Sequence, residues 1–213
     1  MRSAVKVKVI RSATGNARSR RYTAPIGTVL KDSSEAIVCA RAILKQHKTF
    51  LRNLNDAIYT FHSPLIEGSV GQHTRHSLDH IQKPLEILAT LEKGCNENMV
   101  RYDIRERHTP VEKDRHVAIE LIAQLETMLC ATPQKYLSYP VRAVFMLSTD
   151  RSEVQFESTF NRELAFAIHH CIHHNALSKV LLAYHFPNQT IPEDFGMAPS
   201  TANFNQEIED ECE

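Results

Sequence analysis

The sequence lacks tryptophan, CxxC pairs and any long apolar run. No stretch reaches the roughly 18 apolar residues that a membrane-spanning helix needs, so we expect no membrane as a partner. The 25 lysines and arginines are balanced by 25 aspartates and glutamates, and this zero net charge gives no reason to expect binding to nucleic acid. With 213 residues the chain is long enough for one domain with a sizeable core.

The cysteines also lack the arrangement of a disulfide framework. They are widely scattered and odd in number: Cys39, Cys95, Cys130, Cys171 and Cys212. This usage is typical of proteins in a reducing compartment. We therefore expect the protein in the cytoplasm.

Acidic residues are absent from the first 31 positions, which contain basic residues throughout. A basic, acid-free segment is also typical of a mitochondrial presequence, so the mitochondrion is the alternative location. The period-two alternation of VKVKVI favours a strand over the amphipathic helix of a presequence. We interpret residues 1–31 as a disordered basic extension, residues 32–202 as a helical domain and residues 203–213 as an acidic tail.

The segment STFNRELAFAIHHCIHHNALSKVLLAY, residues 158–184, combines a helical pattern with four histidines. Its apolar residues recur at intervals of three and four and predict one stripe of a helix: Phe166, Leu177, Val180, Leu181 and Tyr184. Ser158 or Thr159 is the expected N-cap. The four histidines lie beside this stripe.

These histidines form two i, i+4 pairs, one on each flank of the stripe. His170 and His174 form one pair, and His169 and His173 form the other. At this spacing two imidazoles on one helix can bind a single metal ion. The helical wheel does not choose between the pairs.

Periodicity predicts three further helices and a hairpin. A long amphipathic helix is expected from Glu35 to near Ser63, a second over Val70 to Glu92, and a third ending near Leu129. VRAVFMLS and VQFE predict a small hairpin before the histidine-rich helix. The expected fold class is therefore mainly α, a four-helix bundle with a small β-hairpin before the last helix.

The second predicted helix is also rich in histidine. Its segment GQHTRHSLDH places His73, His76 and His80 on one side, at positions i, i+3 and i+7. In a bundle this side could face the histidines of the last helix across the core. His47 and His62, on the first helix, are expected at the surface or at its boundary.

GQHTRHSLDH, RELAFAIHHCIHHNAL and YDIRER resemble segments of the DinB-like superfamily of metal-binding four-helix bundles, in one uncharacterised branch. The resemblance covers roughly residues 51–201. In that superfamily a glycine is followed five positions later by a ligand histidine, here Gly71 and His76. An HxxxH motif on the fourth helix supplies the other two ligands, here His170 and His174. The resemblance thus implies a metal site of His76, His170 and His174, while the helical wheel keeps His73 as the alternative to His76.

Three neutral imidazoles leave a coordination position open, as in catalytic or substrate-binding sites. Zinc, nickel and ferrous iron all accept such ligands. The resemblance implies a metal-dependent transferase or hydrolase acting on a small molecule, for instance one that contains a thiol. The alternative function is a non-catalytic interaction protein whose histidines are hydrogen-bonded in the core. The sequence leaves a homodimer open.

Several other residues are candidates for supporting the ligands or orienting a substrate: Asp79, Tyr102, Asp103, Arg105 and Glu163. Each is also a candidate for a structural salt bridge or a helix cap. Cys171 falls away from the predicted apolar stripe, and we interpret it as a packing or surface thiol.

Overall fold

The computed structural model describes the backbone of residues 35–92 and 98–210, and the side chains of residues 35–91 and 98–205. The predicted extension over residues 1–31 lies outside these ranges. The described chain is mainly helical, as predicted, and includes a small three-stranded sheet. None of its helices is both long enough and apolar enough to cross a membrane.

The described elements follow one another along the chain as α1 (Glu35–Arg52), α2 (Asp56–Thr60), α3 (Val70–Glu92), β1 (Met99–Arg101), α4 (Arg115–Ala131), β2 (Pro140–Met146), β3 (Glu153–Thr159), α5 (Phe160–His185) and α6 (Pro199–Asp210). Helix α1 packs against α4 and α5, and α3 also packs against α4 and α5. The core lies between these four helices. The histidine-rich segments are α3 and α5.

The first predicted helix is divided in two. It ends at Arg52, and a new helix begins at Asp56, because the Asn55 side chain accepts a hydrogen bond from the Ile58 amide (2.8 Å). His62 is exposed, as expected, but the surface position predicted for His47 is wrong. His47 is 2% exposed, and its Nε2 lies 3.1 Å from Thr74 Oγ1. Burial lowers the pKa of His47 to about 4, so the ring is neutral at pH 7.

The predicted hairpin is confirmed as the antiparallel pair β2 and β3, but the sheet has a further strand. β1 pairs with β2 in parallel, with Val100 opposite Ala143. Val100 and Tyr102 are about 1% exposed, so β1 and the residue that follows it contribute to the core. Periodicity missed β1 because it is only three residues long and its partner lies some 40 positions further along the chain.

The end of the chain also differs from the prediction. The histidine-rich helix was expected to be the last one, with an acidic tail over residues 203–213, but α6 forms over Pro199–Asp210. The helix α5 is therefore not the last one. Thr159 is confirmed as the N-cap of α5, since its hydroxyl accepts from the Arg162 amide at 3.4 Å.

The buried face of α5 is rotated from the predicted apolar stripe. Val180 is 51% exposed and Tyr184 is 70% exposed, whereas Cys171 is fully buried. Cys171 is thus a packing thiol, one of the two roles expected for it. The true inward face combines large apolar residues with small or polar ones, to which hydropathy gives little weight: Ala167, Cys171, Asn175 and Ser178.

Candidate metal centre

Helices α3 and α5 bring five imidazole rings together. His170 and His174 on α5 are half-buried and face α3, whereas His169 and His173 on the other flank are exposed. Packing against α3 thus distinguishes the two i, i+4 pairs of α5, which the helical wheel leaves equivalent. The predicted ligands His170 and His174 lie on the inward side.

The ring nitrogens of the three predicted ligands converge. The Nε2 atom of His170 lies 3.0 Å from Nε2 of His76 and 3.1 Å from Nε2 of His174. The ring centroids of His76 and His174 are 4.5 Å apart, with the planes at 90°. His170 Nε2 is therefore the centre of this group.

The alternative ligand His73 lies at the edge of the group. Its Nδ1 is 2.9 Å from Nδ1 of His174, on the side of that ring that faces away from His170. His73 thus contacts one predicted ligand. His76, in contrast, approaches both His170 and His174.

Sequence reasoning did not name His80 as a ligand, although it lies inside the cluster. One ligand atom from each of His76, His80 and His170 lies within 4.8 Å of the other two, so these three histidines are within metal-binding distance. The signal was available, because His76 and His80 have the same i, i+4 spacing as the pairs on α5. The His80 ring lies against His170, with centroids 3.7 Å apart and planes at 31°.

The rings are neutral at pH 7. Burial lowers the pKa of His76, His80 and His174 to about 2 and that of His170 to about 4. The positive charge of Arg105 adds to the shifts of His76, His80 and His170. A neutral imidazole keeps one ring nitrogen with a free lone pair, which is the form that binds a metal ion.

Hydrogen bonds between the rings do not satisfy the cluster. A neutral ring nitrogen is either a donor or an acceptor, so His170 Nε2 cannot donate to His76 and also accept from His174. Three buried ring nitrogens have no hydrogen-bond partner among the described residues: His73 Nε2, His76 Nδ1 and His80 Nδ1. Each unpaired buried nitrogen costs about 1 to 3 kcal/mol. The cluster therefore needs a partner besides these rings.

A buried tyrosine and carboxylate form one wall of the cluster. The ring of Tyr102 stacks on His80 at a centroid distance of 4.8 Å, and its hydroxyl donates to Glu163 Oε2 at 2.9 Å. Glu163 is fully buried and also accepts from the Ser158 hydroxyl and from Arg162 (both 2.6 Å). This pair supports the His80 ring from behind.

The other sequence candidates have separate partners. Asp79 pairs with Arg75 at 2.8 Å, and Asp103 accepts from the Met146 amide at 2.7 Å. Asp79 thus forms a salt bridge, the alternative role expected for it, whereas Asp103 caps the end of strand β2 instead of a helix. Arg105 donates to the Tyr102 carbonyl at 3.3 Å, and its Nε is buried without a partner among the described residues.

An open groove of about 680 Å³ is lined by residues of β2, β3 and the start of α5. Its lining includes Phe145, Phe156 and Phe166. The ring of Phe166 lies 5.9 Å from that of His170, centroid to centroid. The groove therefore gives an apolar surface next to the imidazoles.

Comparisons with known proteins find a partial relative. FK506-binding protein 5 of Rhizopus delemar is 34% identical over 104 residues, which are 48% of this chain and 26% of that protein. The chain thus spans about a quarter of the length of this curated relative. No family model and no solved structure matches the chain.

The resemblance to the DinB-like superfamily is wrong as a family assignment. No model of that superfamily or of any other matches the chain, and the relative that was found carries a different name. Histidines at helical spacing can arise on any pair of packed helices, so two short motifs were not sufficient to assign a family.

Proposed function

We propose that this chain binds one divalent metal ion through the Nε2 atoms of His76, His170 and His174. The observation that carries the proposal is the pair of Nε2 contacts, 3.0 and 3.1 Å, that centre on His170. Imidazole nitrogens about 2.1 Å from a common ion lie about 3.0 Å apart at octahedral angles and about 3.4 Å apart at tetrahedral angles. The two contacts fall in this range.

A metal ion would satisfy the Nε2 atoms of His76, His170 and His174 together. Each ligand nitrogen donates a lone pair to the same ion, so none has to be both a donor and an acceptor of a proton. The neutral state of the rings at pH 7 supports this role.

We favour His174 over His80 as the third ligand because of the ring planes. An imidazole binds a metal along a lone pair that lies in the plane of the ring. The His174 ring is inclined at 62° to His170 and at 90° to His76, so lone pairs in the three planes can meet. The His80 ring lies face to face with the His170 ring. The in-plane lone pairs of His80 are therefore not directed at the point where those of His76, His170 and His174 can meet.

We further propose that the site is carried by a four-helix bundle. The contacts of α1 and α3 with both α4 and α5 form a closed ring of four helices, which supports this arrangement. Ligands from two facing helices of a bundle are typical of metal sites in such folds.

The proposed activity is that of a metal-dependent hydrolase or transferase acting on a small molecule. Three protein ligands leave an open position, and a divalent zinc, nickel or iron ion there would supply Lewis acidity at neutral pH. The groove beside Phe166 and His170 offers space for an apolar part of a substrate. A thiol substrate was implied by the family resemblance alone, so the proposal is limited to small molecules.

One observation favours the non-catalytic alternative. The 2.9 Å contact between Nδ1 of His73 and Nδ1 of His174 has the length of a hydrogen bond between neutral imidazoles. In this second candidate function the cluster is structural, and the bundle serves as an interaction protein.

The test compares the wild-type protein with His174→Ala and His80→Ala, each purified without a histidine tag and titrated with zinc. We expect His174→Ala to weaken binding by more than about 100-fold, because it removes a ligand, and His80→Ala to weaken it by less than that. Zinc bound per chain is measured after gel filtration. The reverse order would assign His80 as the ligand, and equal zinc content in all three proteins would favour the structural alternative.

The cellular compartment and the oligomeric state remain predictions. We propose the cytoplasm, since Cys39 and Cys130 are exposed free thiols, which suits a reducing environment. A homodimer remains an expectation from the sequence.

A further inference from the structure

A polar cleft of about 350 Å³ lies along α3 on the side next to the histidines. Arg75 and Asp79, which precede His76 and His80 by one position each, line it from the helix. The opposite wall is the loop that follows β1, with Arg105, Glu106 and Thr109. The cleft and the histidine cluster thus share one helix.

Most of the charged side chains in this cleft are paired. Arg75 contacts both Asp79 (2.8 Å) and Glu112 (3.0 Å), and Lys83 contacts Glu86 (3.0 Å). Arg105 takes part in none of the ion pairs found among the described residues.

Arg105 is held in place but has an unused donor. Its Nη1 donates to the Tyr102 carbonyl at 3.3 Å, whereas its Nε is buried and has no hydrogen-bond partner among the described residues. An unpaired buried donor on a charged group is costly, because a guanidinium normally forms several hydrogen bonds.

Thr109 presents a second unused group in the same cleft. Its Oγ1 is buried without a partner among the described residues. The loop that carries Thr109 is tied to α3, since Glu112 accepts from both the His108 amide and the Arg75 guanidinium, each at 3.0 Å. The two unused groups therefore lie on a fixed wall.

We propose that Arg105 and Thr109 form an oxyanion-binding subsite, which takes a carboxylate or phosphate group. A guanidinium N–H and a hydroxyl both donate to an anionic oxygen, and bonds of this kind are among the strongest in proteins. Carboxylates also line the cleft: Asp79 shares Arg75 with Glu112, and Glu86 pairs with Lys83, which leaves Arg105 and Glu106 outside the ion pairs. Glu106 is exposed, whereas Arg105 is half-buried.

This subsite adds a substrate class to the proposed function. That assignment of a substrate rests on the proposed function. Tyr102, whose carbonyl binds Arg105, stacks its ring on His80 at 4.8 Å. A small molecule anchored by its anionic group at Arg105 would be held beside the histidine cluster. The substrate of the metal centre is thus an organic carboxylate or phosphate, while the anion site itself exists without the metal.

The experiment titrates sodium phosphate and, separately, sodium acetate into the full-length, metal-free protein at constant ionic strength in a calorimeter. We expect Arg105→Gln to weaken binding at least about tenfold, because it removes a charge-assisted hydrogen bond. Thr109→Val, which keeps the side-chain shape, should weaken it about fivefold. The matched control is Arg107→Gln, which removes the same charge from an exposed neighbour and should leave binding within about twofold.

Each result decides the proposal. Tighter binding of phosphate than of acetate, or the reverse, identifies the anion class, and either order with loss in both variants supports the subsite. Absence of binding to the wild type, or an equal loss in Arg107→Gln, would overturn it. If Arg105→Gln does not fold, Thr109→Val decides alone. Because no metal is present, failure here is separate from failure of the zinc titration.

Discussion

Saturating zinc should raise the melting temperature of the wild-type protein by roughly 5 to 10 °C and leave that of His170→Ala almost unchanged. His170 Nε2 lies about equally close to Nε2 of His76 and of His174, at 3.0 and 3.1 Å, so its removal takes away the ligand atom that the other two both contact. Free zinc at a hundredfold excess over Kd stabilises the folded state by about 2.7 kcal/mol. Calorimetric or fluorescence melting of tag-free protein, with and without zinc, measures the shift.

The matched control is His169→Ala, which removes an exposed histidine from the same helix. Its zinc response should equal that of the wild type. A shift that persists in His170→Ala, or that disappears equally in His169→Ala, would show that zinc binds elsewhere on the surface.

Gly71→Ala should lower the free energy of unfolding by about 3 kcal/mol. A Cβ at Gly71 would lie 2.1 Å from the Glu112 carbonyl oxygen and 2.9 Å from the Glu112 carbonyl carbon. Both atoms belong to the backbone of the 3-10 turn Pro110–Glu112, so neither can move without displacing the turn. Urea unfolding monitored by circular dichroism measures the change.

Gly68→Ala provides the comparison. Its Cβ would meet His73 Nε2 at 3.2 Å, the far end of a side chain that can shift, so we expect a change within about 1 kcal/mol. Equal stability of Gly71→Ala and Gly68→Ala would mean that the turn does not pack so closely on α3. Since this turn carries Glu112, the partner of Arg75, Gly71→Ala should also weaken anion binding in the cleft.

The helices that carry the site could be predicted from sequence because their patterns are local. Periodicity over about 20 residues predicted α3 and α5 to within a few residues of their observed ends, and Thr159 indicated the start of α5. The break between α1 and α2 at Asn55 was missed because the apolar pattern continues through it. One capping side chain, that of Asn55, is enough to start a new helix there. β1 was missed because a parallel strand depends on a distant partner.

The composition of the site depended on tertiary packing. Two flanks of α5 each carry an i, i+4 pair of histidines, and only the contact with α3 makes His170 and His174 the inward pair. His80 lies in the cluster and stacks on Tyr102, a contact that depends on the packing of α3 against the residue that follows β1. Gly71 was selected for its place in a motif, whereas its physical role is the close approach of the Glu112 backbone.

X-ray absorption at the metal edge of the zinc-loaded wild-type protein tests the central claim most directly. We predict three imidazole nitrogens at about 2.0 to 2.1 Å from each zinc ion, and a loss of one imidazole from the spectrum of His174→Ala. A wild-type spectrum with one or no imidazole, or one dominated by carboxylate oxygen or sulfur, would contradict a metal centre built from His76, His170 and His174.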